Sequence, residues 1–208
     1  MNKHLEAHPF WGSQGPLFSL SSGALLVLAS PRLAFALITV LALIFIYVLS
    51  AVVSLCAKKI IPRAGRYLIL IFIAGFFSSV FALILSLASP LLVLELNIII
   101  LLVPVSFINT SVSKNLDTLA PDDGLYEAVL EAMILGGLIT ALALIREPFS
   151  YGALSIPGRQ GIIEWAFADS ENPYFSHLIS TIAGGFIVLG YAVALARKIR
   201  KKNSGAEE

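Results

Sequence analysis

Cysteine occurs once in 208 residues, at Cys56, and charge is scarce: 14 Lys and Arg stand against 13 Asp and Glu, 13% together. The single thiol excludes an internal disulfide and a cysteine metal cage built from this chain alone. The shortage of charge excludes an ordinary soluble domain, in which about a quarter of residues are charged. A net charge of +1 leaves no basic excess for nucleic acid or another polyanion. His4, His8 and His177 are the only histidines, and their spacing suggests no metal site. There is no Gly-rich phosphate loop. Met1 to Gln14 is polar and holds Pro9 and Trp11, where a cleavable signal peptide needs an apolar core. What is abundant is hydrophobic: 58% of residues, with a mean hydropathy of +0.89. The solvent of such a chain is mostly lipid.

A helix crosses the hydrocarbon with about 20 apolar residues, at about 1.5 Å per residue. Leu33 to Ala57, Tyr67 to Ser89, Gly124 to Ile145 and His177 to Ala196 fit that length. Two further stretches are interrupted. Leu17 to Ser30 is short and contains Ser19, Ser21, Ser22 and Gly23; Leu91 to Val112 contains Glu95, Asn97, Pro104, Ser106 and Asn109. Interrupted helices survive in a bilayer only where other protein covers them, so these two are expected to pack against each other. The expected fold is an all-α polytopic membrane protein of about six transmembrane helices. A short segment, 1–16, precedes the membrane domain, 17–197, and a basic, polar tail, 198–208, follows it. Residues 146–176 form the one sizeable loop, in which Gly161 to Phe167 is expected as a short interfacial helix. Six crossings would place 11 of the 14 Lys and Arg on one side, Lys58, Lys59, Arg66 and the Arg197–Lys202 cluster among them; Arg32, Arg146 and Arg159 fall on the other. Basic residues favour the cytoplasmic side, which puts both termini inside.

Charged groups within spans are costly and therefore informative. Glu127 and Glu131 are four apart and share a helix face; they are either solvated at the cytoplasmic entrance or face a polar crevice used by a cation. Ser106 and Asn109, beside Pro104, either offer oxygens to a small ion or satisfy backbone groups that the proline frees. Glu95 faces the outer interface. Gly184 and Gly185 fit close helix packing, and Cys56 a small buried hydrophobe.

Four stretches carry a resemblance. They are WGSQGPLFSLSSGALLVLASP (Trp11 to Pro31), LVPVSFINTSVSKN (Leu102 to Asn115), LIREPFSYGALSIP (Leu144 to Pro157) and AGGFIVLG (Ala183 to Gly190). In that order they resemble the integral membrane subunits of the Rnf/Nqr family, of the E type in Rnf and the D type in Nqr. The resemblance implies a bacterial inner-membrane protein whose interrupted segments form an inverted-repeat-like core. It also implies a homologous membrane partner of opposite orientation, further complex subunits, and an iron–sulfur cluster held by cysteines of both partners. This chain departs from that pattern at the ligands. The family's cysteine positions fall on Ala24 and Ile108, its Asn on Phe107, and its Gly-Arg-Ala-Glu run on Val112, Ser113, Lys114 and Asn115. Neither Ala24 nor Ile108 can bind iron, so no cofactor is expected in this chain, and a cluster is lost or supplied by the partner. The function expected is a membrane subunit, itself non-catalytic, of an ion-translocating electron-transport complex. The rivals are a stand-alone ion or small-molecule permease and a structural or assembly subunit.

Overall fold

A computed structural model describes residues 20–59, 62, 65–117, 120–158, 161–166, 177–191 and 194. The chain runs α1 (Leu20–Ala29), α2 (Leu33–Cys56), α3 (Arg66–Ala88), α4 (Pro90–Phe107), α5 (Ser111–Lys114), α6 (Pro121–Tyr151), β1 (Ala153–Gly158), β2 (Gly161–Ala166), α7 (His177–Ser180) and α8 (Ile182–Tyr191).

Four helices, α2, α3, α4 and α6, are long and apolar enough to cross a membrane. Their apolar runs become helices because lipid offers backbone groups no partner outside the helix itself. Pro90 and Pro121 start α4 and α6, where a missing N–H costs nothing. Asp122 and Asp123 add negative charge to the first turn of α6. That helix ends at Gly152, whose φ of 61° is the left-handed conformation of a helix stop. With 31 residues, α6 is about 46 Å long. That exceeds the thickness of the hydrocarbon by about half.

The other two of the six expected segments are not long helices, and for the one from Leu17 a half-length element is the expectation. Helix α1 has ten residues, about 15 Å, half a membrane. The expected span from His177 begins as α7, bends at Thr181 and continues as α8 to Tyr191; most of its remainder lies outside the described residues, as do the segments 1–16 and 198–208. The interruption expected between Leu91 and Val112 falls at residues 108–110, between α4 and α5.

Helix α2 packs on α6 and α3, and α4 lies against α1 and α3. The shared core holds Leu25 and Leu26 of α1, Leu43 and Ile46 of α2, Leu96 and Ile100 of α4, and Leu135 and Ile139 of α6. Outside it, Phe72, Phe76, Leu83 and Leu87 of α3 and Leu94 and Ile98 of α4 are exposed. So broad an apolar exterior suits lipid, not water.

Pro104 lies within α4 and cannot donate to the carbonyl of Ile100. Ser78 of α3 donates to that carbonyl instead, at 2.9 Å. The residue that compensates for the proline is therefore Ser78 rather than Ser106 or Asn109, because α3 packs directly over the break.

The interfacial helix expected over Gly161 to Phe167 is instead the second strand of an antiparallel hairpin; Phe167 itself lies outside the described residues. Ala153 pairs with Ala166 and Gly158 with Gly161. Gly161 takes a φ of 123° that glycine alone adopts readily, and the β-branched and aromatic Ile162, Ile163 and Trp165 fill the strand. Arg32 pairs with Glu164 of this hairpin and lies over the Tyr151 ring, 5.1 Å from its centroid. At the opposite end of the bundle, Arg66 pairs with Asp117 at 2.5 Å.

Candidate functional site

Where the interrupted segments meet, Ser22 of α1, Tyr47 of α2, Ser106 and Asn109 at the end of α4, Thr110 and Glu131 line a small cavity, with Leu135 beside them. It leaves about 10 Å³ for a water centre, room for one molecule. Tyr47 is 14 residues into α2 and Ser106 16 into α4. The cavity is therefore about 21–24 Å from the hairpin end of those helices, in the half nearer Arg66.

The break in α4 builds most of it. Asn109 N–H donates to Ser106 O and Thr110 N–H to Phe107 O, at 3.1 and 3.0 Å, ending the helix in a turn. Thr110 then caps α5: its extended backbone reopens the chain, and its Oγ1 accepts from Ser113 N–H at 3.3 Å. The first N–H and the hydroxyl of Ser111 donate to Glu131 Oε1, at 2.9 and 2.5 Å. Glu131 thus anchors α5 to α6 by placing negative charge at a helix start. Its other oxygen, Oε2, is buried with no protein partner.

The tyrosine hydroxyl lies 2.7 Å from Ser106 Oγ, and Ser106 donates its one hydrogen to Val103 O at 2.8 Å. Tyr47 is therefore the donor to Ser106. Its ring meets Phe107 edge to face, centroids 5.4 Å apart.

Three of the four residues singled out in sequence, Ser106, Asn109 and Glu131, thus converge. Glu127 sits half-buried one turn nearer the start of α6 and does not line the cavity. Glu95 is exposed on α4, toward the hairpin end. Ala24 and Ile108 are half-buried hydrocarbon and are not among the residues that line the cavity. Cys56 is exposed at the end of α2, not buried as expected. His4 and His8 lie outside the described residues. Among the described residues, no group of three or more His, Cys, Asp and Glu could hold a metal. Tyr47 escaped sequence reasoning, although a hydroxyl inside an uncharged apolar run is a signal in its own right.

A second polar centre organises the hairpin end. Arg146 is fully buried in α6. Its Nε donates to Ile179 O, its Nη1 to Val27 O and Ser30 Oγ, and its Nη2 to Ser180 O and Thr181 O, all between 2.5 and 3.0 Å. All five guanidinium hydrogens are used. The acceptors are the Ser30 hydroxyl and backbone carbonyls at the end of α1 and at the bend between α7 and α8, a cluster of oxygens for which lipid offers no donor. Among the described residues no carboxylate pairs with this arginine; helix C-termini balance its charge. Gly185 makes the approach possible: a Cβ there would stand 2.9 Å from the guanidinium carbon and 2.6 Å from Val27 Cγ1. The neighbouring Glu147 turns to a helix start, accepting from Leu33 N–H at 2.8 Å, while Ser155 of the hairpin accepts from Ala34 N–H at 3.1 Å. No family model matches the sequence, and no curated protein matches it either.

Proposed function

We propose that this chain is a membrane subunit of an ion-translocating electron-transfer complex of the Rnf/Nqr kind, handling the ion and holding no iron–sulfur cluster of its own. The observation that carries this reading is the cavity at Glu131. Four segments spread from Ser22 to Glu131 bring polar side chains to one point inside an apolar bundle, although a carboxylate in the hydrocarbon costs at least about 2.5 kcal/mol. Methyl and branched hydrocarbon at Ala24 and Ile108 fit the loss of cluster ligands, leaving electron transfer to other subunits. Glu95 and Asn97 are exposed on α4 between Leu94 and Ile98, polar groups that suit a homologous membrane partner of opposite orientation better than lipid. On this reading the Arg66 end faces the cytoplasm, with both termini, in a bacterial inner membrane.

The test uses vesicles from the native membrane. Removing the chain should abolish respiration-driven ion uptake, and Glu131→Gln should do the same while the complex still assembles. Uptake that survives Glu131→Gln in an assembled complex would leave only a structural or assembly role.

A further inference from the structure

We infer that Glu131 is a proton-binding site, loaded and unloaded through a single water shared with Tyr47. The inference deepens the ion-handling role proposed above and rests on it for its physiological use, but the site itself can be measured on the isolated chain.

Four hydroxyl hydrogens around the cavity are already committed. Ser106 has given its hydrogen to Val103 O, Thr110 its own to Phe107 O at 2.6 Å, Tyr47 its own to Ser106, and Ser111 its own to Glu131 Oε1. These hydroxyls therefore have no hydrogen to spare for Glu131 Oε2, which is buried without a protein partner. A buried carboxylate oxygen in that position needs a hydrogen from elsewhere. One water in the cavity meets the need in both charge states. When Glu131 is ionised, the water donates to Oε2. When Glu131 carries a proton, Oε2–H donates to the water, whose own hydrogens turn to acceptors such as Tyr47 Oη. Neither state strands a polar atom, so the proton is exchanged without rearranging the helices.

A metal cation fits less well. The space takes one water centre, so a hydrated ion is excluded by size. A dehydrated one would meet a single carboxylate oxygen and neutral hydroxyls, Ser106 and Thr110 having already given one of their two lone pairs to Tyr47 and to Ser113 N–H. The charged and titratable groups facing Glu131 are Glu127 on its own helix, Lys114 on α5 and Tyr47 on α2, while α1 and α4 face the cavity with Ser22, Ser106 and Asn109. Glu127, one turn nearer the polar start of α6, shares that helix face but stands outside the cavity.

The experiment treats the full chain, purified in detergent, with dicyclohexylcarbodiimide, which modifies protonated carboxyl groups in apolar surroundings; mass spectrometry reads the modified residue. Modification at Glu131 should rise about tenfold for each pH unit lowered until it saturates, and sodium chloride should not suppress it. Glu127→Gln should leave the Glu131 label in place at saturation, and Tyr47→Phe should retain it with an altered pH dependence. The unaltered protein carries the decisive reading, so the test survives if Glu131→Gln fails to fold. No modification of Glu131 at any pH, or suppression by sodium at constant pH, would overturn the proton assignment. A labelled Glu131 in a chain whose removal leaves vesicle ion uptake intact would sink the proposed function and leave the proton site standing.

Discussion

Arg146 and Glu147 are adjacent in α6, yet their side chains serve helix ends of opposite polarity. Arg146 donates to the carboxyl-terminal carbonyls of α1 and of the α7 bend, and Glu147 accepts from the first N–H of α2. Each charge meets the helix-dipole end that favours it. Two neighbouring residues thereby fix three helix termini where water is scarce.

Arg146→Lys is accordingly not conservative. Lysine brings three donors where arginine brings five and lacks the planar fork. A loss of about 3 kcal/mol or more is expected from the stranded carbonyls, roughly 6–12 °C in thermal midpoint in detergent. Gly185→Ala should destabilise through the same contact. Combined with Arg146→Ala, which frees the space around Gly185, it should cost less than the sum of the two single changes.

Pro104 and Ser78 form a second coupled pair. Ser78→Ala removes the donor to Ile100 O and should cost about 0.5–1.5 kcal/mol. In a Pro104→Ala background the helix regains its own N–H donor, so the same Ser78→Ala change should cost close to nothing. Equal costs in both backgrounds would deny that Ser78 compensates for the proline.

Packing of the two interrupted segments predicts that Ser22→Cys and Ser106→Cys, which line one cavity, form a disulfide in a Cys56→Ala background. Pairing Ser22→Cys instead with Leu94→Cys, nearer the start of α4 and facing outward, should give none.

Sidedness follows from the arrangement of the charged ends. Reporter fusions after Lys58 and Glu147 should read inside and outside, and a fusion after Lys201 inside. An outward reading after Lys58 would invert the topology.

The membrane character and the long helices are legible in sequence because lipid leaves an uncharged run of more than 20 residues one backbone solution. Ser106, Asn109 and Glu131 are legible for a related reason: polar groups in hydrocarbon need a purpose. Their partners are not, since contact between Tyr47 and Ser106, or between Ser78 and Ile100, spans distances along the chain that no local pattern records. In sequence, Arg146 counts only as an outer basic residue. The demand it meets, backbone carbonyls gathered at two helix ends, exists only once α1 and α7 are seen to stop there. The hairpin differs from the expected interfacial helix because Gly161 to Phe167 is amphiphilic enough for either; the positive φ open to Gly161 and the β-branched residues decide for strands.

The most direct test of the central claim is co-purification of the tagged full-length chain from its native membrane in mild detergent, with mass spectrometry and iron analysis of the eluate. The predicted result is a second membrane subunit together with flavin- or iron–sulfur-carrying subunits, and no iron in the chain once it is separated from them. Recovery of the chain alone, active in ion or solute transport in liposomes, would contradict the claim, as would stoichiometric iron in the separated chain.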